Sequence, residues 1–223
     1  MHAPLHALLD AGQAYAATYQ GRLSNHLPMA QQALHELGAP AERLQAWTAA
    51  HAAQLAPRVD VAPSAGCELG QPDSEDAWRA HFAARIDQLG AAGALREALT
   101  LLLPGVGAMA FHGLIRTGHA VLAGHAGELA AGLAHWASHF MALPVAAGGA
   151  PLPSVDWLAA LARLPRPVYP AGSFITDRMQ AWGRTPGFAA VAGRLQQHPD
   201  LLRDTALLAA RTYAATGNFT VLH

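Results

Sequence analysis

The sequence has 223 residues, of which 52% are hydrophobic and 13% charged, and its formal net charge is -1. A chain of this length is enough for one large domain or two small ones, and it can bury a sizeable core without disulfides. The near-neutral charge excludes the basic surface that nucleic-acid binding requires. Each apolar run is interrupted before it reaches about 18 residues, which argues against a membrane span.

Arginine and histidine carry the cationic chemistry of the chain. All 14 basic residues are arginine, and there are 13 histidines. Without lysine, the chain offers neither a Schiff base nor a carbamylated-lysine metal ligand. The single cysteine, Cys67, cannot form an intrachain disulfide, and the N-terminus lacks the features of a signal peptide. We therefore expect a cytoplasmic protein whose chemistry depends on histidine.

Hydrophobic spacing and the Gly/Pro punctuation predict an all-α fold. Two long Pro/Gly loops are expected near residues 58–72 and 143–156. We interpret residues 1–223 as one multi-helix domain. An apolar segment starts at Asn218 and is cut at His223, which predicts a chain that continues further. The predicted helices, in chain order, cover 5–19, a segment capped by Ser24 or Asn25 that runs to Leu37, 41–55, 74–89, 91–103, 107–124, 126–143 and 154–163, followed by helices that start at Thr176 and at Gly187 and a last one over 199–215.

The segment "FHGLIRTGHAV" places His112, Arg116 and His119 on one side of a central apolar helix. The two histidines are seven residues apart, which is about 10.5 Å along a helix axis. Both rings could lean towards a metal ion between them, and Arg116 could bind an anionic group. The alternative is two buried histidines that donate hydrogen bonds to backbone carbonyls.

A second histidine pair, His135 and His139, has the i,i+4 spacing of the zinc motif H-E-x-x-H. Trp136 occupies the position of the glutamate, so the general base of that motif is absent. The sequence offers no obvious carboxylate partner, and a half-buried helix face is the plainer interpretation. Two further histidines stand at structural boundaries: His26 opens a helix, where a neutral ring is favoured by the helix dipole, and His223 ends an apolar segment.

Four phrases, "NHLPMAQQALHELGA", "FHGLIRTGHAV", "AHWASHF" and "TGNFTVLH", together resemble the questin oxidase-like family. The resemblance runs from about Tyr19 to the last residue, with the phrases in the family order. It implies an α-helical oxidoreductase. Characterised fungal relatives open anthraquinone-type rings with molecular oxygen, in reactions described as Baeyer–Villiger-like or as non-haem-iron oxygenation.

Carried over residue by residue, the resemblance implies metal ligands at His26, His112, His119 and His223. Arg116 lies inside the central motif, and we take it as the candidate catalytic residue. The resemblance further implies iron, with another divalent metal as the alternative, and NADPH as a candidate electron donor. The expected partners are a small aromatic substrate and O2, with no nucleic acid and no membrane, and the high apolar fraction is compatible with a homo-oligomer.

Two other functions remain open from the sequence. In the first, the protein is a helical binding or scaffold protein, and its histidines are structural. In the second, it is a zinc-dependent hydrolase built on His135 and His139, which would need a carboxylate base from elsewhere in the chain.

Overall fold

The computed structural model describes residues 3–59 and 66–218. Helix dominates these residues, and the only paired strands among them form a two-stranded sheet, so the predicted all-α class is confirmed. None of the described helices is both long and apolar enough to cross a bilayer. His223 and the rest of the apolar segment that starts at Asn218 lie outside the described residues. The chain divides into two compact units, one ending at Ala142 and the other starting at Leu143, and its interpretation as one domain stays a prediction.

The first unit contains six α-helices within its described residues. A short 3-10 turn, Pro72–Ser74, precedes the fourth of them. The strands β1 (Thr18–Tyr19) and β2 (Leu23–Ser24) form an antiparallel hairpin between the first two helices. The helices are α1 (Ala3–Gly12), α2 (Leu27–Glu36), α3 (Ala41–Ala52), α4 (Glu75–Leu102), α5 (His112–Ala123) and α6 (Ala126–Ser138).

Most of the predicted helix boundaries follow Gly and Pro. Pro28 stands in the first turn of α2, where its missing N–H costs nothing. Gly90 breaks α4, as the sequence predicts, because it takes φ 70° and ψ 164° between two helical segments. Such a positive φ is open to glycine without steric penalty. The two predicted helices on either side of Gly90 are therefore two segments of one kinked rod.

Three predicted helices are wrong by five residues or more at one end. The helix expected to reach Leu143 ends at Ser138, because Met141 forms an extended bridge with Val106. The first predicted helix was expected to reach Tyr19, but α1 ends at Gly12 because the next residues pair in extended form with the segment around Pro57. The helix expected from Gly107 begins only at His112. The residues just before it, 109–111, have positive φ values that are incompatible with a right-handed helix.

Helix α6 is the centre of this unit, although the sequence favours α5 for that position. Every residue from Glu128 to Ser138 is buried, as expected for a helix that is covered on all sides. Small residues allow this close packing. A Cβ on Gly113 of α5 would lie 2.7 Å from the Cα of Trp136. The backbone of α5 therefore lies directly against the Cα and Cβ of Trp136 on α6. Kinked α4 covers another side of α6 with Trp78, Phe82 and Leu102.

The second unit contains four further helices in its described part: α7 (Ser154–Ala162), α8 (Ile175–Gly183), α9 (Phe188–Ala192) and α10 (Leu201–Thr216). They correspond to the four helices predicted after the 143–156 loop. Leu152 forms a parallel bridge with Leu195, and the Trp157 indole donates to the Val191 carbonyl at 3.1 Å. Helices α8, α9 and α10 bury no residue fully within the described chain.

Candidate metal centre

His26 and His112 meet although 86 residues separate them in the sequence. His26 is the residue before α2, and His112 is the first residue of α5. Their Nε2 atoms lie 2.8 Å apart, and the rings are perpendicular. The structure therefore brings together two of the four predicted metal ligands.

The turn before His112 fixes the orientation of its ring. Met109, Ala110 and Phe111 take φ values of 47°, 54° and 69°, and each non-glycine residue in this left-handed region costs about 1–2 kcal/mol. The turn brings the Met109 carbonyl oxygen to 2.5 Å from His112 Nδ1. Nδ1–H therefore donates to this carbonyl, and the lone pair of the ring is on Nε2, the atom that faces His26. Strained backbone of this kind concentrates at functional sites.

His119 is held in the same tautomer by another helix. Its Nδ1 lies 2.6 Å from the side-chain oxygen of buried Gln32 on α2. Burial lowers the pKa of His119, so the ring is neutral at pH 7 and its Nε2 carries a lone pair. His119 also lines an apolar groove of about 550 Å³ between α4 and α5, together with Leu95, Leu99 and Leu122.

Arg116, the candidate catalytic residue, is 3% exposed and forms a bidentate ion pair with buried Glu128. Its Nε and Nη2 atoms each lie 3.0 Å from a Glu128 oxygen. The Gln13 amide donates to the same carboxylate and accepts from Arg79 at 2.9 Å. These contacts place Arg116 in a buried polar network that links α1, α4, α5 and α6. Its assignment as catalytic stays a prediction.

The sequence missed a carboxylate beside the second histidine pair. Glu75, His135 and His139 each place a potential ligand atom within 4.8 Å of the others, and they are the one such group of three found in the described part of the chain. His135 is 1% exposed. Its Nδ1 lies 3.5 Å from Glu75 Oε2, and its Nε2 lies 3.4 Å from Ser24 Oγ. Glu75 precedes His135 by 60 residues, so no local pattern could have identified it.

Electrostatics define the protonation states of Glu75 and His139. Burial alone would raise the pKa of Glu75, but the hydrogen bond and charge of His135, with the charges of Arg116 and His139, lower it to about 2. Burial, and then the charge of His135, lowers the pKa of His139 to about 4. At pH 7, therefore, Glu75 is a carboxylate and His139 a neutral imidazole.

A helical protein with histidine side chains brought together from separate helices is the class that the fold and this region define. The family model described as questin oxidase-like matches residues 23–161, and the chain belongs to this family. The match includes His26, His112 and His119, and it confirms the predicted resemblance over these residues. The predicted extension of the resemblance from residue 162 to His223 stays a prediction. No curated protein and no solved structure matches the chain.

Proposed function

We propose that this protein is a metal-dependent oxidoreductase, with iron as the metal, that uses O2 to oxidise an aromatic or quinone-like substrate. Family membership supports an oxidoreductase. The observation that carries the proposal is the His26–His112 pair, whose Nε2 atoms face each other at 2.8 Å.

The residues of this pair fit a transition metal. Metal–nitrogen bonds of about 2.1 Å place two adjacent ligands of a six-coordinate ion about 3 Å apart, close to the observed separation. The Met109 carbonyl holds His112 with its Nε2 lone pair towards His26. Hydrogen bonds of this kind orient imidazole ligands and increase their basicity. In this proposal His26 and His112 hold the metal. His119 does not form with them a group whose ligand atoms all lie within 4.8 Å of one another, so the assignment of His119 and His223 as further ligands stays a prediction.

His119 connects buried Gln32 on α2 with the apolar groove beside α5. Gln32 fixes the His119 ring by accepting from Nδ1, so the ring can bind through Nε2 without carrying a charge. The groove that His119 lines is almost wholly apolar, with Leu99, Ile115 and Val121 among its walls. Its volume of about 550 Å³ falls in the range of small-molecule sites, and its leucine and isoleucine walls suit the faces of a fused aromatic ring.

The chain's own residues would bind and orient the metal and the substrate, and the metal would supply the redox chemistry. When bound, iron would allow O2 to react with an electron-rich ring, with one oxygen atom going into the substrate, the other into water, and NADPH supplying the two electrons. Arg116 already shares its charge with Glu128, and we assign it the role of fixing α5, which carries His112 and His119, against α6.

Oxygen uptake by iron-reconstituted protein tests this function. We would measure uptake with a panel of hydroxylated anthraquinones, with and without NADPH, and identify the products by mass spectrometry. We expect His112→Ala to abolish substrate-dependent uptake. His198→Ala is the matched control because His198 lies in the second unit beside Asp204. Equal uptake by wild type and His112→Ala would refute the proposal, and a folded wild type that binds no iron would favour the scaffold function.

The structure also weighs on the hydrolase alternative. Glu75 supplies the carboxylate that the sequence lacks near His135 and His139. However, a general base works best when its pKa is near the working pH, and the pKa of Glu75 is about 2. Such a carboxylate is a weak base, so it suits an electrostatic or ligating role better than activation of water.

A further inference from the structure

The contacts of His135 are unusual for a buried imidazole. Its ring nitrogens lie 3.5 Å from Glu75 Oε2 and 3.4 Å from Ser24 Oγ, whereas good hydrogen bonds from nitrogen measure about 2.7–3.2 Å. Buried polar groups normally have short, well-aligned partners. His135 is 1% exposed and has two long contacts in place of a short one.

The same distances suit a shared metal ion. Two ligands of a tetrahedral ion with bonds of about 2.1 Å lie about 3.4 Å apart, which is close to the 3.5 Å between His135 Nδ1 and Glu75 Oε2. With Nδ1 as the ligand atom, Nε2–H is left to donate to Ser24 Oγ.

His139 is oriented to complete such a site. Its Nδ1 lies 3.2 Å from the His135 carbonyl oxygen and 3.0 Å from Ser138 Oγ. In the tautomer whose Nδ1–H donates to this carbonyl, Nε2 carries the lone pair that a metal requires. The i,i+4 spacing on α6 places the two rings on one helix face, with centroids 4.6 Å apart.

We propose that Glu75, His135 and His139 form a second metal site, distinct from the His26–His112 pair, that binds a divalent transition metal through one carboxylate and two imidazoles. Three protein ligands leave a further coordination position for water. The site would join the start of α4 to the end of α6.

The surrounding charges select the type of ion. The positive charge of Arg116 interacts electrostatically with Glu75. Arg79 in turn interacts with the negative charges of both Glu75 and Glu128. The two guanidinium groups oppose a cation, so the imidazoles must supply most of the binding free energy. Nitrogen ligands favour Zn2+, Co2+ and Fe2+, whereas Ca2+ and Mg2+ prefer a shell of oxygens.

Cobalt titration tests the second site directly. Chelator-treated full-length protein would be titrated anaerobically with Co2+, with visible d–d absorption and bound metal measured together. We expect His139→Gln and Glu75→Gln to weaken this binding by at least about 100-fold, beyond the roughly 10–100-fold cost of losing an outer hydrogen-bond partner. We expect Zn2+ to displace Co2+ and Mg2+ to have no effect.

His112→Ala separates this site from the one in the proposed function. If both exist, His112→Ala loses only the first ion, and His139→Gln loses only the second. His198→Ala, the control, should lose neither. Far-UV circular dichroism would establish that each variant is folded, and His139→Gln is the milder change because His139 is only partly buried. The proposal of a second site is overturned if folded His112→Ala binds no Co2+. It is also overturned if folded His139→Gln binds as much Co2+ as wild type.

Discussion

The close packing of α5 on α6 predicts that Gly113→Ala destabilises the fold. A Cβ at position 113 would lie 2.7 Å from both the Cα and Cβ of Trp136, which is about 0.7 Å inside ordinary van der Waals contact. Trp136 cannot retreat, because it is fully buried and its indole donates to the Gly105 carbonyl at 3.0 Å. The two helices must therefore separate.

The magnitude follows from two opposing effects. Overpacking a tight contact costs about 1–3 kcal/mol, and a contact with the root of a fixed side chain belongs at the upper end. Alanine regains about 1 kcal/mol over glycine through helix propensity. The net loss is about 1–2 kcal/mol, which lowers the Tm by about 2–8 °C for a chain of this size.

Gly118→Ala is the matched control on the same helix. Nothing lies within 4 Å of a Cβ placed at Gly118, and the residue is exposed. Only the propensity gain remains, so we expect a Tm raised by about 1–4 °C. Thermal unfolding followed by far-UV circular dichroism would compare the two variants. A Gly113→Ala protein that melts at or above the Gly118→Ala protein would refute the packing we describe.

Three further predictions concern the polar interior and the strained turn. Glu128→Gln leaves buried Arg116 without its carboxylate, so urea denaturation should show a loss of about 3–5 kcal/mol in the free energy of unfolding. Glu97→Gln, in the surface pair with Arg85, is the control and should cost far less, because water screens an exposed ion pair. Equal losses would contradict the buried ion pair. The pKa of His139 is lowered to about 4. Between about pH 6.5 and pH 4, therefore, this residue is protonated in the unfolded chain and neutral in the folded chain. The contribution of the neutral His139 ring to stability is complete above about pH 6.5 and should fall as the pH drops to about 4. Thermal unfolding of metal-free protein across this range should show a shallower decline for His139→Gln, and an unchanged slope would argue against a buried neutral ring. Ala110→Gly should change the free energy of unfolding by less than about 1 kcal/mol, because relief of the strain at φ 54°, about 1–2 kcal/mol, offsets the entropy cost of glycine and the loss of a buried methyl group. A loss of about 2 kcal/mol or more in urea denaturation would count against the left-handed turn.

Local sequence signals predicted the parts of the fold that local physics decides. The break at Gly90, the start of α2 near Pro28 and the helices of the second unit follow from glycine and proline, which act on their own stretch of backbone. The early end of α1 could not be predicted in this way, because residues after Gly12 pair with backbone around Pro57. This pairing outweighs helix propensity, which contributes less than about 1 kcal/mol per residue.

Candidate site residues show the same division. The i,i+4 spacing identifies His135 and His139 as neighbours, but Glu75 joins them only through the packing of α4 on α6. Similarly, the meeting of His26 with His112 depends on how α2 packs against α5. The sequence indicated a shared site for these two residues only through the family resemblance, since periodicity within one helix carries no information about another.

Metal content measured by plasma mass spectrometry on anaerobically purified protein tests the central claim most directly. The claim is that the His26–His112 pair holds a transition metal for oxidative chemistry. We predict near-stoichiometric iron in wild type and in His198→Ala, and loss of that iron in folded His112→Ala. Folded wild type without bound metal, or iron that His112→Ala retains in full, would contradict the claim.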